Sequence, residues 1–597
     1  MGSEGRLTKG DRAGGTDLSS RAILDPREGD VEDDAASTKT RSLLAIGGAL
    51  ISEISFPKLA LAWVLLIALP AVVLGATPLV AKIWFVETLD RISAVAGIGS
   101  ALILALVAGV GWFGLPHLLR VLERSFWSLN SIAVQPGYVL AREVLRHVLE
   151  GVAGPRMGEA SRARLRAGTS AAAGGLSALV ALALIAMAWP YTRWTGELAD
   201  LAAPLRLVKP ALANAVVLVS ACLAVASLAW GVADAAMDQL QTTRTFDEGA
   251  QPGRTWRVAH LSDIHVVGEE YGFRIESGRA GPRGNRRLDE ALHRLERLHA
   301  ARALDHVLIT GDMTDAGRAG EWAAFMTALS RRPALAERTL ILPGNHDLNI
   351  ADRGNPARLD LPTSPGKRLR QMRALSAMDA VQGARVRVVD RSAGKLGPTL
   401  TEFLRPHRAS IAAFADTGSL RLSRGLESLW ENCFPMILPP AEPDGLGVAL
   451  LNSNAETHFS FTNALGLVPA LDARALLSVM EHHGQASWIV ALHHHLLEYP
   501  TPAKALSERI GTALINGSWF IRQLAPFASR AIAMHGHRHV DWIGSCGRLR
   551  IVSAPSPVME ARDDEPTCFY IHELAAGAGA LRLLAPEQVV IGPRSRN

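Results

Sequence analysis

The sequence predicts an α-helical membrane domain with four transmembrane helices, followed by an α/β domain built as a layered sandwich of sheets and helices. Three observations predict it. Four long apolar stretches without a charge lie within residues 59–233. From about Thr255 the pattern changes to alternating strands and helices. Five short polar motifs then each close an apolar, strand-like run. A chain of 597 residues is also too long for one ordinary core. Its 48% hydrophobic content and mean hydropathy of +0.15 exceed what a water-soluble protein of this length usually carries.

Residues 1–40 are rich in Gly, Ser, Asp, Glu and Arg and are expected to be a disordered cytoplasmic tail. They lack the basic start, short apolar core and cleavage site of a signal peptide. The membrane domain is expected over 41–240, with spans at about 59–80, 92–115, 171–189 and 211–233. Each approaches or exceeds the ~20 residues that cross ~30 Å of hydrocarbon. A shorter apolar run, 43–54, contains Glu53 and reads as an interfacial helix. The loop 120–168 carries eight basic residues: Arg120, Arg124, Arg142, Arg146, Arg156, Arg162, Arg164 and Arg166. The first connection has only Lys82 and Arg91, and the third has Arg193, Arg206 and Lys209. Basic loops stay inside, so both termini and the α/β domain are expected on the cytoplasmic face of an inner or plasma membrane. Within the basic loop, 139–152 has helical apolar spacing beside Arg142 and Arg146. It reads either as a helix on the anionic inner leaflet or as an ordinary amphipathic loop helix.

A net charge of +5 is too mild to argue for nucleic acid, and no nucleic-acid partner is expected. Cys222, Cys433, Cys546 and Cys568 form no CxxC pair, which excludes a disulfide framework and a Cys-based zinc site. A polar linker over 241–254 leads into the domain at 255–597. There strands are expected at 258–261, 305–310 and 339–342, with helices at 287–304 and 321–329. Leu288, Leu292, Leu295 and Leu298 share one face of the first helix. Later strands fall at 448–451, 488–492 and 531–534, a helix near 472–481, and an all-strand tail at 550–553, 568–572 and 581–584. An insertion at about 349–445 is expected to cap the site or touch substrate. In such folds ligands gather at the carboxyl ends of strands.

The five motifs fall at those ends: Asp263-Ile264-His265, Gly311-Asp312, Gly344-Asn345-His346-Asp347, His493-His494-His495 and Gly536-His537-Arg538-His539. If the chain stays extended, Asp263 and His265 point the same way, as do His537 and His539. Each motif alone has a plain alternative, a polar turn. Together they supply Asp, Asn and His in numbers that suit two divalent ions, Mn, Fe or Zn. Two such ions ~3.5–4 Å apart, sharing a carboxylate and a hydroxide, neutralise phosphoryl oxygens and activate water, and a nearby His can act as general acid. The Arg cluster Arg279, Arg283, Arg286 and Arg287 reads either as an anion-binding patch or as a solvated basic loop.

In this order the motifs resemble the calcineurin-like metallophosphoesterase family over about 255–555. The resemblance implies that Asp263, His265 and His539 hold one metal and that Asn345, His537 and a His of the triple run hold the other. It implies that Asp312 bridges both and that His346 is the acid, oriented by Asp347. Family members with a His-His-Pro segment point to His494, while the missing Pro leaves His493 as a rival. The activity implied is hydrolysis of a phosphomonoester or phosphodiester, with a diester favoured. A lipid phosphodiester or a cyclic nucleotide is the expected substrate, and the bilayer a partner. The alternatives are a membrane signalling or scaffold protein that no longer turns over, and a hydrolase that regulates a transporter. The second is weakened by the absence of any mid-span charge.

Overall fold

The structure is a computed structural model that describes residues 60, 63–94, 135–154, 157–243, 245–247, 253–269, 271–275, 282–351, 360, 364–457, 460–501, 506–562, 564–577 and 579–592. The expected tail, the interfacial run 43–54 and all but 92–94 of the second expected span lie outside these residues. The chain divides into two compact units. One is helical and comprises Ile51–Gln241 with Glu498–Ile510; the other contains Thr242–Leu497 and Gly511–Asn597.

In the helical unit, a π-helical turn at Val64–Ala68 leads into α1 (Leu69–Ala94). Then come α2 (Gln135–Ala153), α3 (Glu159–Ala188) and α4 (Val208–Ala235). Three helices among the described residues are long and apolar enough to cross a membrane: Leu69–Glu87, Glu159–Tyr191 and Leu205–Ala235. Small residues let them touch backbone to backbone. A Cβ on Gly174 of α3 would lie 2.6 Å from the Ser227 carbonyl oxygen of α4, and one on Gly75 of α1 would lie 1.6 Å from that of Ala211. Leu179, Val180, Leu182, Val225 and Val232 point outward and are exposed, as a lipid-facing surface requires. Asn214 is buried and satisfied, donating to the carbonyls of Gly75 and Arg193.

The amphipathic helix expected at 139–152 is α2, and it is turned charge-inward. Arg142, Glu143, Arg146 and Glu150 are buried, while Leu140, Val148, Leu149 and Val152 are exposed. Arg142 therefore pairs with Glu143 and Asp234, and Arg146 with Glu143.

A short strand β1 (Leu240–Thr242) stands where the linker was expected to begin, and the second unit follows. Strand and helix then alternate. The order is β2 (Arg254–Leu261), α5 (Arg286–Ala301), β3 (His306–Ile309), α6 (Ala319–Ser330), β4 (Thr339–Ile341) and a one-turn helix α7 (Asn345–Leu348). α5 buries Leu288, Leu292 and Leu295, with Leu298 half-packed, because 3.6-residue spacing puts them on one face. α8 (Pro365–Gln382), β5 (Arg387–Asp390), β6 (Lys395–Thr399), α9 (Leu420–Asn432) and β7 (Met436–Leu438) belong to the insertion. Its strands extend a sheet edge, and Met372, Leu375, Met378, Trp430 and Phe434 join the core.

Later elements include β8 (Leu446–Leu450), α10 (Ala470–His482), β9 (Ser487–Ala491), β10 (Ala531–His535), β11 (Trp542–Cys546), β12 (Leu549–Ser553), β13 (Thr567–Gly577), β14 (Ala580–Leu583) and β15 (Glu587–Ile591). One sheet has the order β14-β13-β2-β3-β4, with β15 also on β13. From β11 inward the other runs β11-β12-β10-β9-β8-β7-β5-β6. β2, β3 and β4 are parallel, as are β8, β9 and β10. Every residue of β8, β9 and β10 is buried, which explains their unbroken apolar runs. Val258, Leu308 and Leu340 of the first sheet and Val448, Ile489 and Ile532 of the second belong to one core. The carboxyl ends of β2, β3, β4, β9 and β10 carry the five motifs.

Candidate metal centre

Each ligand-type side chain sits just past a strand end, where the backbone departs from extended geometry. Among the described residues, six non-glycines have positive φ, and five are motif residues: Asp263 (55°), His265 (48°), Asp312 (51°), His537 (78°) and His539 (52°). The expectation that Asp263/His265 and His537/His539 align on an extended chain is therefore corrected. Tight left-handed turns aim them, at a steric cost that L-residues tolerate only where neighbours enforce it. Gly311, with φ +101°, allows the chain to turn hard against His493; a Cβ there would lie 2.4 Å from that ring's Nδ1.

The turns converge. Asp312 Oδ2 lies 3.7 Å from His265 Nε2 on one side and 3.2 Å from His493 Nε2 on the other. Asp263 Oδ1 is 3.5 Å from His539 Nε2. Asn345 Oδ1 is 3.1 Å from His493 Nε2, and His537 Nδ1 is 3.1 Å from the same nitrogen. Two groups thus gather ligand atoms within 4.8 Å of one another: Asp263 with His265 and His539, and Asp312 with His493 and His537. A third comprises His265, Asp315 and His346.

The place beside Asp312, Asn345 and His537 is taken by His493, where the family resemblance pointed to His494. His493 Nδ1 bonds the Thr310 carbonyl at 2.8 Å, which turns Nε2 toward the carboxylate. His494 Nδ1 instead pairs with the Ser453 hydroxyl at 2.9 Å, although its ring centroid stays 4.4 Å from that of His537. The two rings are thus turned apart by their Nδ1 partners, the Thr310 carbonyl and the Ser453 hydroxyl.

The Asp347 carboxylate accepts from the backbone N–H of Gly344, Met313 and Thr314 and from the Thr314 hydroxyl. It thereby fixes the loop carrying His346. The ring's Nδ1 donates to the Asp315 carbonyl at 2.6 Å. Asp315 also sets its carboxylate 3.3 Å from His265 Nδ1. Glu560 does the same for His539 Nδ1 at 3.0 Å. Neither residue was singled out from sequence. Asp315 lies three residues after Asp312, a spacing that could have suggested a second carboxylate in the same loop; Glu560 has no comparable signal. Such carboxylate–imidazole contacts hold metal-ligand rings in one tautomer.

Of the basic residues expected after the first motif, Arg279 lies outside the described residues. Arg287 is buried and donates to the carbonyls of Arg562 and Glu565.

The electrostatics suit cations. Burial alone would raise the Asp263 carboxyl, but the imidazoles of His539 and His493 hold it below its ordinary range. Burial would lower His493, but Asp312 and Asp263 push it up to about 9, so without another positive charge this ring takes up a proton. Burial keeps His537 well below its ordinary value, hence neutral and able to donate a lone pair, and its buried Nε2 has no hydrogen-bond partner. A buried orphan nitrogen is costly unless something binds it. The donor set, carboxylate, amide oxygen and neutral imidazole, fits divalent transition ions.

Residues 257–405 match the model of the calcineurin-like phosphoesterase family, so the chain carries a domain of that kind. The matched span contains the first three motifs, and the fold adds the His run and Gly536–His539. No curated protein matches the chain. Among solved structures, the chain is similar to a Staphylococcus aureus protein assigned as a 5'-nucleotidase, in complex with alpha-ketoglutarate. The identity is 14% and the TM-score 0.31, covering 57% of this chain and 55% of that one. It is also similar to PhoD, at 10% identity and TM-score 0.31, covering 57% of this chain and 73% of that one. The chain therefore spans about half the length of the first of these.

Proposed function

We propose that this chain is a membrane-anchored phosphoesterase whose α/β domain faces the cytoplasm and works with two divalent ions. The observation that carries the reading is the Asp312 carboxylate, whose Oδ2 stands 3.7 Å from His265 and 3.2 Å from His493. When bound, the ions would neutralise phosphoryl oxygens and acidify a water. Asp263, His265 and His539 would hold one; Asn345, His493 and His537 would hold the other; Asp312 would touch both. His493 takes the role first given to His494 because its Nε2 faces Asp312, Asn345 and His537.

His346 is the acid in this reading. Its Nδ1 carries the hydrogen given to the Asp315 carbonyl, so Nε2 exchanges a proton with the leaving oxygen. Burial opposes the imidazolium, yet Asp312 and Asp315 outweigh it and raise the ring's pKa. Asp347 keeps the His346 loop in place through its backbone donors. The apolar helices support anchoring, and the basic loop supports the inward orientation. A phosphodiester of a lipid or a cyclic nucleotide is the favoured substrate.

Hydrolysis of an aryl phosphodiester by the full chain with Mn²⁺ tests this reading. Turnover should fall to background in Asp312→Ala. His346→Ala should keep its metal and lose most turnover on poor leaving groups. A wild-type chain that binds metal and hydrolyses no phosphate ester refutes the enzyme reading in favour of a non-catalytic one.

A further inference from the structure

α2 is amphipathic in the reverse sense to a helix that packs on a protein from water. Its buried side is the charged one, with Arg142, Glu143, Arg146 and Glu150. Its outward side is apolar. Leu140 is 47%, Val148 54% and Val152 82% exposed, with Val144 half-buried between them. Steps of four residues set these side chains in one stripe along the helix.

The buried charges are paired inside the helical unit. Glu143 Oε1 accepts from Arg142 Nε at 2.8 Å and from Arg146 Nη1 at 2.9 Å. Arg142 Nη1 donates to Asp234 Oδ2 at 2.8 Å. Glu150 accepts from Arg166 Nε and from Arg509 Nη2, both at 2.6 Å. Taking charges out of water is costly even when they are paired, and an apolar stripe left in water forgoes its burial. A helix with water on its free side gains by turning the other way round. Against hydrocarbon the preference reverses, because charges are expensive there and apolar groups are not.

The contacts along α2 place it beside the spans. Near its start, the Tyr138 hydroxyl donates to the Trp230 carbonyl (3.5 Å) and to Asp234 Oδ2 (3.0 Å) on α4. Trp230 lies inside the charge-free run 211–233, and its outward neighbours Leu228 and Val232 are exposed like the stripe on α2. Farther on, Arg146 donates to Ser170 Oγ at 2.9 Å, and Glu150 pairs with Arg166. α2 therefore runs antiparallel to α3. The apolar segment that contains α3, Glu159–Tyr191, has 33 residues, about 50 Å at 1.5 Å per residue, against ~30 Å of hydrocarbon. Its charge-free part begins after Arg166. The start of α2 is thus level with hydrocarbon-depth residues of α3 and α4, and its end is level with Arg166 at the boundary.

We propose that the outward stripe of α2 lies against lipid acyl chains, with Leu140 deep in the leaflet and Val152 near its boundary. The Arg–Glu–Asp network is then the polar interior of a membrane domain to which α2 belongs as a half-embedded helix. The inference rests on the membrane-anchoring reading above.

The test introduces p-benzoylphenylalanine at Leu140, Val148 or Val152 of the full chain. The protein is reconstituted in phosphatidylethanolamine–phosphatidylglycerol vesicles and irradiated, and adducts are read by mass spectrometry. Val180 on α3 and Val225 on α4, both exposed, are the references. Leu140 and Val148 should give acyl-chain adducts within about twofold of the yield at Val180, as for any lipid-facing position. Attachment should lie farther from the headgroup at Leu140 than at Val152. Cross-links to a second copy or to another part of the same chain in place of lipid overturn the inference. So do adducts confined to headgroups, and so does a lack of adducts on α2 while the references react. If the variants do not fold, the wild type in vesicles with diazirine-tagged acyl chains decides. Label within 140–152 is expected, and label on α3 and α4 without α2 overturns the inference. A lack of acyl adducts at Val180 and Val225 as well refutes the membrane-anchoring reading itself, and this inference with it.

Discussion

Replacing Gly344 with alanine isolates one contact on which the centre depends. Gly344 has φ −95° and ψ −178°, a conformation open to any residue, so the substitution adds no backbone strain. The cost is purely steric. The new Cβ would lie 2.1 Å from Asp312 Oδ1, 2.2 Å from its backbone nitrogen and 2.7 Å from its Cγ. Carbon contacts prefer about 3.5–4 Å, so the two loops must part by roughly 1.3 Å or more. The backbone nitrogen cannot rotate aside as a side chain could. Overpacking of this kind costs about 1–3 kcal/mol. At about 1.4 kcal/mol per tenfold, that lowers metal affinity roughly 5- to 150-fold if the strain falls on the metal-competent geometry. Calorimetric Mn²⁺ titration measures it, with thermal unfolding in chelator as the check on the apo fold. Gly425→Ala on α9 is the control: nothing lies within 4 Å of its added Cβ, and a helix-interior alanine should stabilise by about 0.5–1 kcal/mol. Gly344→Ala binding Mn²⁺ within twofold of wild type would refute the idea that this close approach fixes the Asp312 carboxylate.

Three further outcomes are expected. His493→Ala should cost at least tenfold more metal affinity than His494→Ala, and the reverse order by the same titration would return the ligand role to His494. Glu560→Ala should weaken only the ion held with His539, by about tenfold as for other second-layer partners of metal ligands; an unchanged Co²⁺ spectrum would show that the 3.0 Å contact is idle. Burial, then the neighbouring Asp315, pushes Glu321 up to about 8. Its folded form thus holds a proton more tightly than the unfolded chain, whose Glu titrates near 4.3. This contribution to stability is full below the unfolded pKa and is lost as pH rises through about 8. Glu321→Gln keeps an acceptor for the Ala316 and Arg318 N–H groups and removes the titration. Its melting temperature relative to wild type should climb between pH 5 and pH 9, and a difference flat in pH would sink the argument.

The sequence reveals some of this architecture well and some not at all, for physical reasons. Runs such as Trp488–Leu492 are apolar at every position because central parallel strands are buried on both faces, so their places and the motifs closing them are visible. The aim of the ligands is not visible, because a left-handed turn at Asp263 or His537 leaves no mark in residue type. The choice between His493 and His494 depends on which ring turns toward Asp312, which a triple His run conceals. For α2, periodicity shows that one face is apolar and one charged, but not which faces inward. Only the partners Asp234, Arg166 and Arg509 make a charged interior affordable. Glu560 acts from 21 residues beyond His539, too far for any local pattern.

The left-handed residues show why the five motifs must act as one unit. Each non-glycine held at positive φ costs on the order of 1–3 kcal/mol. Five together rival the whole stability of a typical domain, about 5–15 kcal/mol. No single loop could sustain this, and the hydrogen bonds show how the load is shared. Asp263 N–H donates to the Gly311 carbonyl at 3.0 Å, and His265 N–H to the Asp312 carbonyl at 2.9 Å. His346 N–H donates to Asp312 Oδ1 at 2.8 Å, His537 N–H to Asp263 Oδ2 at 2.9 Å, and Gly536 N–H to the His493 carbonyl at 3.0 Å. In every case the donor lies in one ligand loop and the acceptor in another. The two sheets are thereby tied at their carboxyl ends through the ligands themselves. Removing Asp263 or Asp312 takes away a proposed metal ligand and also the carboxylate that accepts from a neighbouring loop's backbone N–H. The effects of such losses should not add. The geometry that fits metal is thus a collective property of loops drawn from both sheets.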